Sequence, residues 1–186
     1  MDNCFLCWLK DLLFIVLGVA GGMAGSIFLI IKVIPNLFAP NIKVAPNIAW
    51  KIEKGSRRYR IKIINKTKFD IIDISAELKF QHIKPGSDLI ITKSIPLVQP
   101  NLYLLKKYKP RGNRTEFAYK FLVSHEAKVS DLFDLFDKYA NNNPSVRFRI
   151  LATHSATNFP KVINAEFSRN DFSEGDYRLG NSFIIE

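Results

Sequence analysis

The sequence predicts one N-terminal transmembrane α-helix followed by a mainly-β soluble domain, either an immunoglobulin-like β-sandwich with one short helix or a small β-barrel. Three observations predict it: an uncharged apolar run from Leu12 to Ile31, a hydrophobic period of two from Trp50 onward, and a single stretch of helical period at 131–140. The chain of 186 residues has room for one membrane span and one domain with its own core.

The apolar run has the length of a membrane span. At about 1.5 Å per residue its helix is about 30 Å long, the thickness of a bilayer's hydrocarbon core. A cleavable signal peptide is the competing reading, with Ala20, Gly22 and Ala24 as small residues for processing. Asp2 and Asp11 dilute its positive n-region, and Ile27 to Ile31 carry the run past any such site. An anchor is therefore expected, with residues 1–11 as tail and 12–34 as span. Lys10 stands alone before the helix, whereas Lys32, Lys43, Lys51, Lys54, Arg57 and Arg58 come after it, which places the large domain in the cytoplasm of a single-pass cell-membrane protein.

Both cysteines, Cys4 and Cys7, precede the span, so the soluble domain forms no internal disulfide. Their spacing admits a redox or acylation site, weighed against apolar filler beside a membrane helix. Gly18, Gly22 and Ser26 recur every four residues in the span, and Gly21 and Gly25 form a second pair. Such small residues let helix backbones approach closely, so self-association or a membrane-protein partner is expected.

Residues 35–47 hold three Pro-Asn dipeptides, at Pro35, Pro40 and Pro46, and read as a stiff extended spacer. The soluble domain then covers residues 48–186. Its clearest strand runs from Ile72 to Phe80, with Ile72, Ile74, Ala76, Leu78 and Phe80 on one face and Asp73, Ser75, Glu77 and Lys79 on the other. Before it, Tyr59, Ile61 and Ile63 alternate with Arg58, Arg60 and Lys62, and the short linker Asn65 to Lys68 predicts a hairpin between the two runs. Further strands are expected over 89–95, 102–108, 117–123, 146–152, 162–167 and 177–185, with turns at Lys84-Pro85-Gly86-Ser87 and Pro110-Arg111-Gly112-Asn113. Leu132, Phe133, Leu135, Phe136 and Tyr139 sit at helical spacing, with Ser130 or Asp131 as N-cap and Asn141-Asn142-Asn143-Pro144 as the stop.

Charge is unevenly placed within the net +10. Residues 32–120 hold 19 Lys and Arg against 6 Asp and Glu, and residues 121–186 hold 7 against 9. Arg57, Arg58, Arg60 and Lys62 are the candidates for an anionic-surface site, with lipid headgroups as the nearest partner. Nucleic acid is the disfavoured alternative, since no RNP-like, zinc or KH pattern accompanies the charge. A solvated face that only aids solubility is the third reading.

Chemistry-bearing patterns are sparse. His82, His125 and His154 are far apart and none has metal-ligand spacing, so no metal or cofactor is expected. His154-Ser155, with Asp171 or Asp176, lacks the G-x-S-x-G elbow of a serine hydrolase. No Gly-rich phosphate loop follows a strand, and the sequons at Asn65 and Asn113 matter only in a lumenal domain. In outline, a membrane helix followed by a basic immunoglobulin-like domain resembles the C-terminal half of inward-rectifier potassium channels over the soluble part only; with no second span and no TVGYG-type run, the resemblance does not imply potassium conduction. The expected function is a non-enzymatic interaction or sensor module at the cytoplasmic membrane face. The alternative is an oligomerising membrane effector or pore-type subunit controlled by its β-domain.

Overall fold

The computed structural model describes residues 2–33, 39–108, 116–124 and 131–186, with side chains of the N-terminal helix described over 14–31. His125, Ser130, the Pro110 to Asn113 turn, the Asn113 sequon and Pro35-Asn36 lie outside the described residues. The chain divides into two compact units, Met1–Ala39 and Pro40–Glu186.

The first unit is helix α1 (Asp2–Phe28), which passes into a π-helical turn at Leu29–Val33. Its stretch Phe14–Ile31 is long and apolar enough to cross a membrane. Phe14, Leu17, Met23 and Ile30 are all more than half exposed, so none of the described residues covers them. An apolar surface of that extent requires a lipid or protein covering.

The second unit is mainly β and consists of two five-stranded sheets. In the first, β3 (Ser56–Asn65) is central. Along one edge it pairs with β2 (Ile48–Glu53) and then with β1 (Ile42–Val44), and along the other with β7 (Ala118–Leu122). Strand β10 (Phe172–Glu174) adds parallel to β2, and the sheet curls into a half-barrel. The second sheet centres on β4 (Ile71–Ile83), flanked on one edge by β8 (Ser145–His154) and then β9 (Pro160–Phe167). Its other edge pairs with β5 (Ile90–Ile95) and β6 (Asn101–Leu105). A bridge between Leu97 and Val123 joins the two sheets along one side.

Facing surfaces of the sheets form one core. Ile61, Ile63 and Phe121 from the first sheet share it with Ile74, Leu78, Phe80, Phe148 and Ile150 from the second. Helix α2 (Leu132–Lys138) closes one end, burying Leu132, Leu135 and Phe136, with the Phe136 ring edge-on to Phe80 at 5.5 Å. Asp131 is its N-cap, accepting the Phe133 N–H at 2.9 Å, and Asn143 at φ 46° ends the short turn after the helix.

Four expectations are corrected. Ile42–Val44, expected within the spacer, is a strand, because Ile42 has the core to enter and β3 has an unpaired edge there. The runs around residues 61 and 74 do not form a hairpin: β3 and β4 lie in different sheets. The Asn65 side chain turns the chain between them, its Nδ2 donating to the carbonyls of Phe69 at 2.9 Å and Lys106 at 2.9 Å while its Oδ1 accepts from Thr67 N and Oγ1. Ile72 is only half-buried, since a bulge between Ile72 and Ser75, with Asp73 at φ 50°, shifts the alternation and buries Ile71 instead. The expected strand at 177–185 is a loop closed by a single Tyr177–Ile185 bridge, with Gly180 at φ 92° turning the chain over the first sheet.

Candidate functional site

Strand alternation places Arg58, Arg60 and Lys62 on one face of β3, as a period of two requires. That face is not open to solvent. Residues 175–186 lie over it, and a second apolar cluster forms there from Ala45, Ala49 and Tyr177 with Phe183 and Ile185 packed against it. The two alanines leave room for the Tyr177 ring, whose hydroxyl donates to the Asn47 carbonyl. Lys62 is 1% exposed, and its Nζ donates to the carbonyls of Arg178 at 2.6 Å and Ser182 at 2.7 Å. Lys62 points away from the main core as the alternation requires, but the exposure that an anionic-surface site needs is corrected: an ammonium with two carbonyl acceptors can be buried where a bare one cannot. Burial, reinforced by the Lys120 charge, pushes Lys62 down to about 8.

Its neighbours are committed too. Lys120, directly across from Lys62 on β7, donates to Asp176 Oδ1 at 2.9 Å and to the Tyr177 carbonyl at 2.5 Å. Arg60 donates to Glu53 Oε1 at 2.6 Å, and its guanidinium lies 3.9 Å from Asp176. Burial would raise the Asp176 carboxyl, but the Lys120 hydrogen bond and the two cations outweigh it and hold it below the usual range. Of the candidate anionic-surface residues on this face, only Arg58 keeps a half-exposed side chain without an ion pair among the described residues.

Arg57 points to the other side and belongs to a cleft of about 390 Å³. The β2–β3 turn, the ends of β5 and β7, and the start of α2 form it, with Ile52, Ile95, Val123 and Leu132 as apolar walls. Lys54 at φ 52° and Gly55 at φ 79° make that turn tight enough to bring Arg57 under Asp131. Arg57 Nη1 lies 3.3 Å from Asp131 Oδ2, and its guanidinium sits 5.4 Å from the Trp50 ring centre and 5.0 Å from that of Phe133. The Tyr59 hydroxyl donates to Asp131 Oδ1. Asp131 therefore caps α2, holds Arg57 and fixes Tyr59 with one carboxylate. Burial, and then the bond to Asp131, raises the Tyr59 phenol far above its ordinary value, so it stays a protonated donor. The Asp131 charge raises Arg57 further, and a guanidinium so held keeps other N–H groups for a ligand acceptor.

The hydrolase-like residues do not assemble. His154 is 1% exposed, lies edge-on to Phe69 at 4.8 Å and has Nδ1 3.1 Å from Thr157 Oγ1. Burial lowers its pKa, so it is neutral. Asp171 accepts from Ser168 N and Oγ, and Asp176 is taken by Lys120, which leaves neither to orient His154. His82 stacks on Tyr139 at 3.9 Å. Among the described residues, no group of three or more His, Cys, Asp or Glu converges on a point. In α1, Gly18, Gly21, Gly22 and Gly25 have open space where a Cβ would stand, and Ser26 Oγ donates to the Gly22 carbonyl at 2.8 Å.

Sequence reasoning had no access to the Arg57–Asp131–Tyr59 group, whose members are 72 residues apart in the case of Tyr59 and Asp131. A signal for the covered face was present, however. Ile64 falls on the same face as Arg58, Arg60 and Lys62, and an isoleucine on the basic face is the one residue that points to a covering there. No protein-family model matches the chain, and no curated protein matches it as a relative. Fold and sites place it in a class: a mainly-β protein whose N-terminal helix is long and apolar enough to span a membrane.

Proposed function

We propose that the chain is a membrane-anchored, non-enzymatic interaction module, its two-sheet unit an immunoglobulin-like variant held at the cytoplasmic face of the cell membrane. The observation that carries the reading is the cleft at the β2–β3 turn. Its one cation among the described residues, Arg57, is held by Asp131 and keeps N–H groups to spare, and its walls are largely apolar, a combination that suits binding of an acceptor-bearing segment of a partner. The lysine excess after Ile31 supports the cytoplasmic side.

A photocrosslinking amino acid in place of Ile52, which is 64% exposed at the rim, tests this in cells with the full chain. A discrete adduct that disappears with Arg57→Glu is expected, and uniform or absent labelling overturns the reading. The second reading, an oligomerising effector or pore-type subunit, is favoured by the Gly18, Gly22 and Ser26 spacing. Dye leakage on expressing the full chain, absent when residues 1–34 are removed, would establish it in place of the first.

A further inference from the structure

The opposite end of β3 carries a different surface. Asn65 binds two loops together there, donating to the Phe69 and Lys106 carbonyls, while Tyr108 N donates to the Thr67 carbonyl at 3.0 Å and Lys107 N to Asp70 Oδ1 at 2.7 Å. On this fixed platform Lys68, Lys106 and Lys107 are exposed and Lys66 lies over the Tyr108 ring at 4.6 Å. Among the described residues, no carboxylate pairs with Lys68 or Lys107; Lys106 lies 3.1 Å from Glu116. Beside Lys68 on the first loop, Phe69 holds a ring 45% exposed. One edge of that ring packs on His154 at 4.8 Å, which fixes its position, and the remainder stays open among the lysines; cations around a partly exposed aromatic are the composition of a surface that enters the headgroup layer.

The chain enters the β unit at this same end. The Asn41 carbonyl accepts the Lys66 N–H at 2.8 Å, and Ile42 pairs with Asn65. Eight residue steps separate Val33 from Asn41, so an extended chain there spans at most about 28 Å.

Taking the membrane-anchored reading as its basis, we propose that the end formed by Lys66, Lys68, Phe69, Lys106 and Lys107 docks on an anionic lipid bilayer, with Phe69 inserted among the headgroups. The expected lipid partner is thereby moved from the covered face of Arg60 and Lys62 to this one. From Arg57 to Asn65 an extended strand measures about 26 Å, so docking at this end leaves the cleft turned toward the cytoplasm, open to a partner.

The test uses the full chain in nanodiscs, carrying Phe69→Trp in a Trp8→Phe background, with Trp8→Phe alone as reference. In discs containing brominated anionic lipid at low salt, the added emission is expected to be quenched at least twofold. The quenching should vanish in neutral brominated discs, near 1 M salt where screening is about 3 Å, and when the four lysines are changed to Gln. Thermal melting establishes that the Gln variant is folded. No quenching in anionic discs, or equal quenching in neutral ones, overturns the proposal. Failure of the chain to enter discs at all would instead overturn the membrane-anchored reading. Binding of an oligonucleotide at the same salt, lost in the Gln variant and without lipid quenching, would reassign the face to nucleic acid.

Discussion

Lys62 shows what a buried cation does at the scale of one residue. Its folded pKa, about 8, lies below the unfolded value near 10.5, so between the two the unfolded chain binds more protons and stability rises with pH. Chemical denaturation of the detergent-solubilised full chain should show a gain on the order of 2 kcal/mol from pH 7 to pH 9.5. Lys62→Met should flatten that rise, and an unchanged slope would mean that another group titrates. Asn65 is the second decisive residue, fully buried with each of its amide atoms bonded. Asn65→Ala should cost about 3 kcal/mol, because three carbonyls and the Thr67 donors lose their shared partner. A loss below about 1 kcal/mol in the same denaturation experiment would show that the two loops hold each other without it.

Elements here are built from alternation, and β4 gives the sharpest example. Ile74, Ala76, Leu78 and Phe80 enter the core while Ser75 faces out, and the bulge at Asp73 lets Ile71 join them three residues earlier. Ile74→Asp should destabilise the β unit by at least about 4 kcal/mol, since it places a charge among Phe and Ile side chains, whereas Ser75→Asp should stay within about 0.5 kcal/mol. Similar melting losses for the pair would contradict the orientation of the strand. Helix α2 was equally legible, because Leu132, Leu135 and Phe136 repeat at 3.6 and Asp131 supplies a cap. The link between β3 and β4 was not. Four polar residues suit a hairpin by length, and only the distant carbonyls of Leu105 and Lys106, which bind Asn65, turn the chain into the other sheet.

At the scale of the whole molecule, the excess of positive charge in residues 32–120 is divided between two fates. Arg60, Lys62 and Lys120 are consumed inside the protein by Glu53, Asp176 and the carbonyls of the C-terminal segment. The lysines of the two loops near Asn65 remain outside. On the membrane-anchored reading proposed above, the same excess after the apolar helix holds the β unit on the cytoplasmic side, so a reporter fused at Glu186 should be active as a cytoplasmic fusion. Alkaline phosphatase activity from that position would place the β unit on the other side.

By itself the sequence determined the apolar helix, the β character of the second unit, the strands with strict alternation and the cap and face of α2, since each depends on residues within a few positions of one another. Tertiary structure alone decided which strands share a sheet and what lies over the far face of β3. It also assembled the cleft, whose Tyr59 and Asp131 come from distant parts of the chain. The physical reason is that alternation fixes which side of a strand a residue takes, but exposure of that side depends on what packs there. For Lys62 the answer comes from residues 178 and 182, more than 110 positions away.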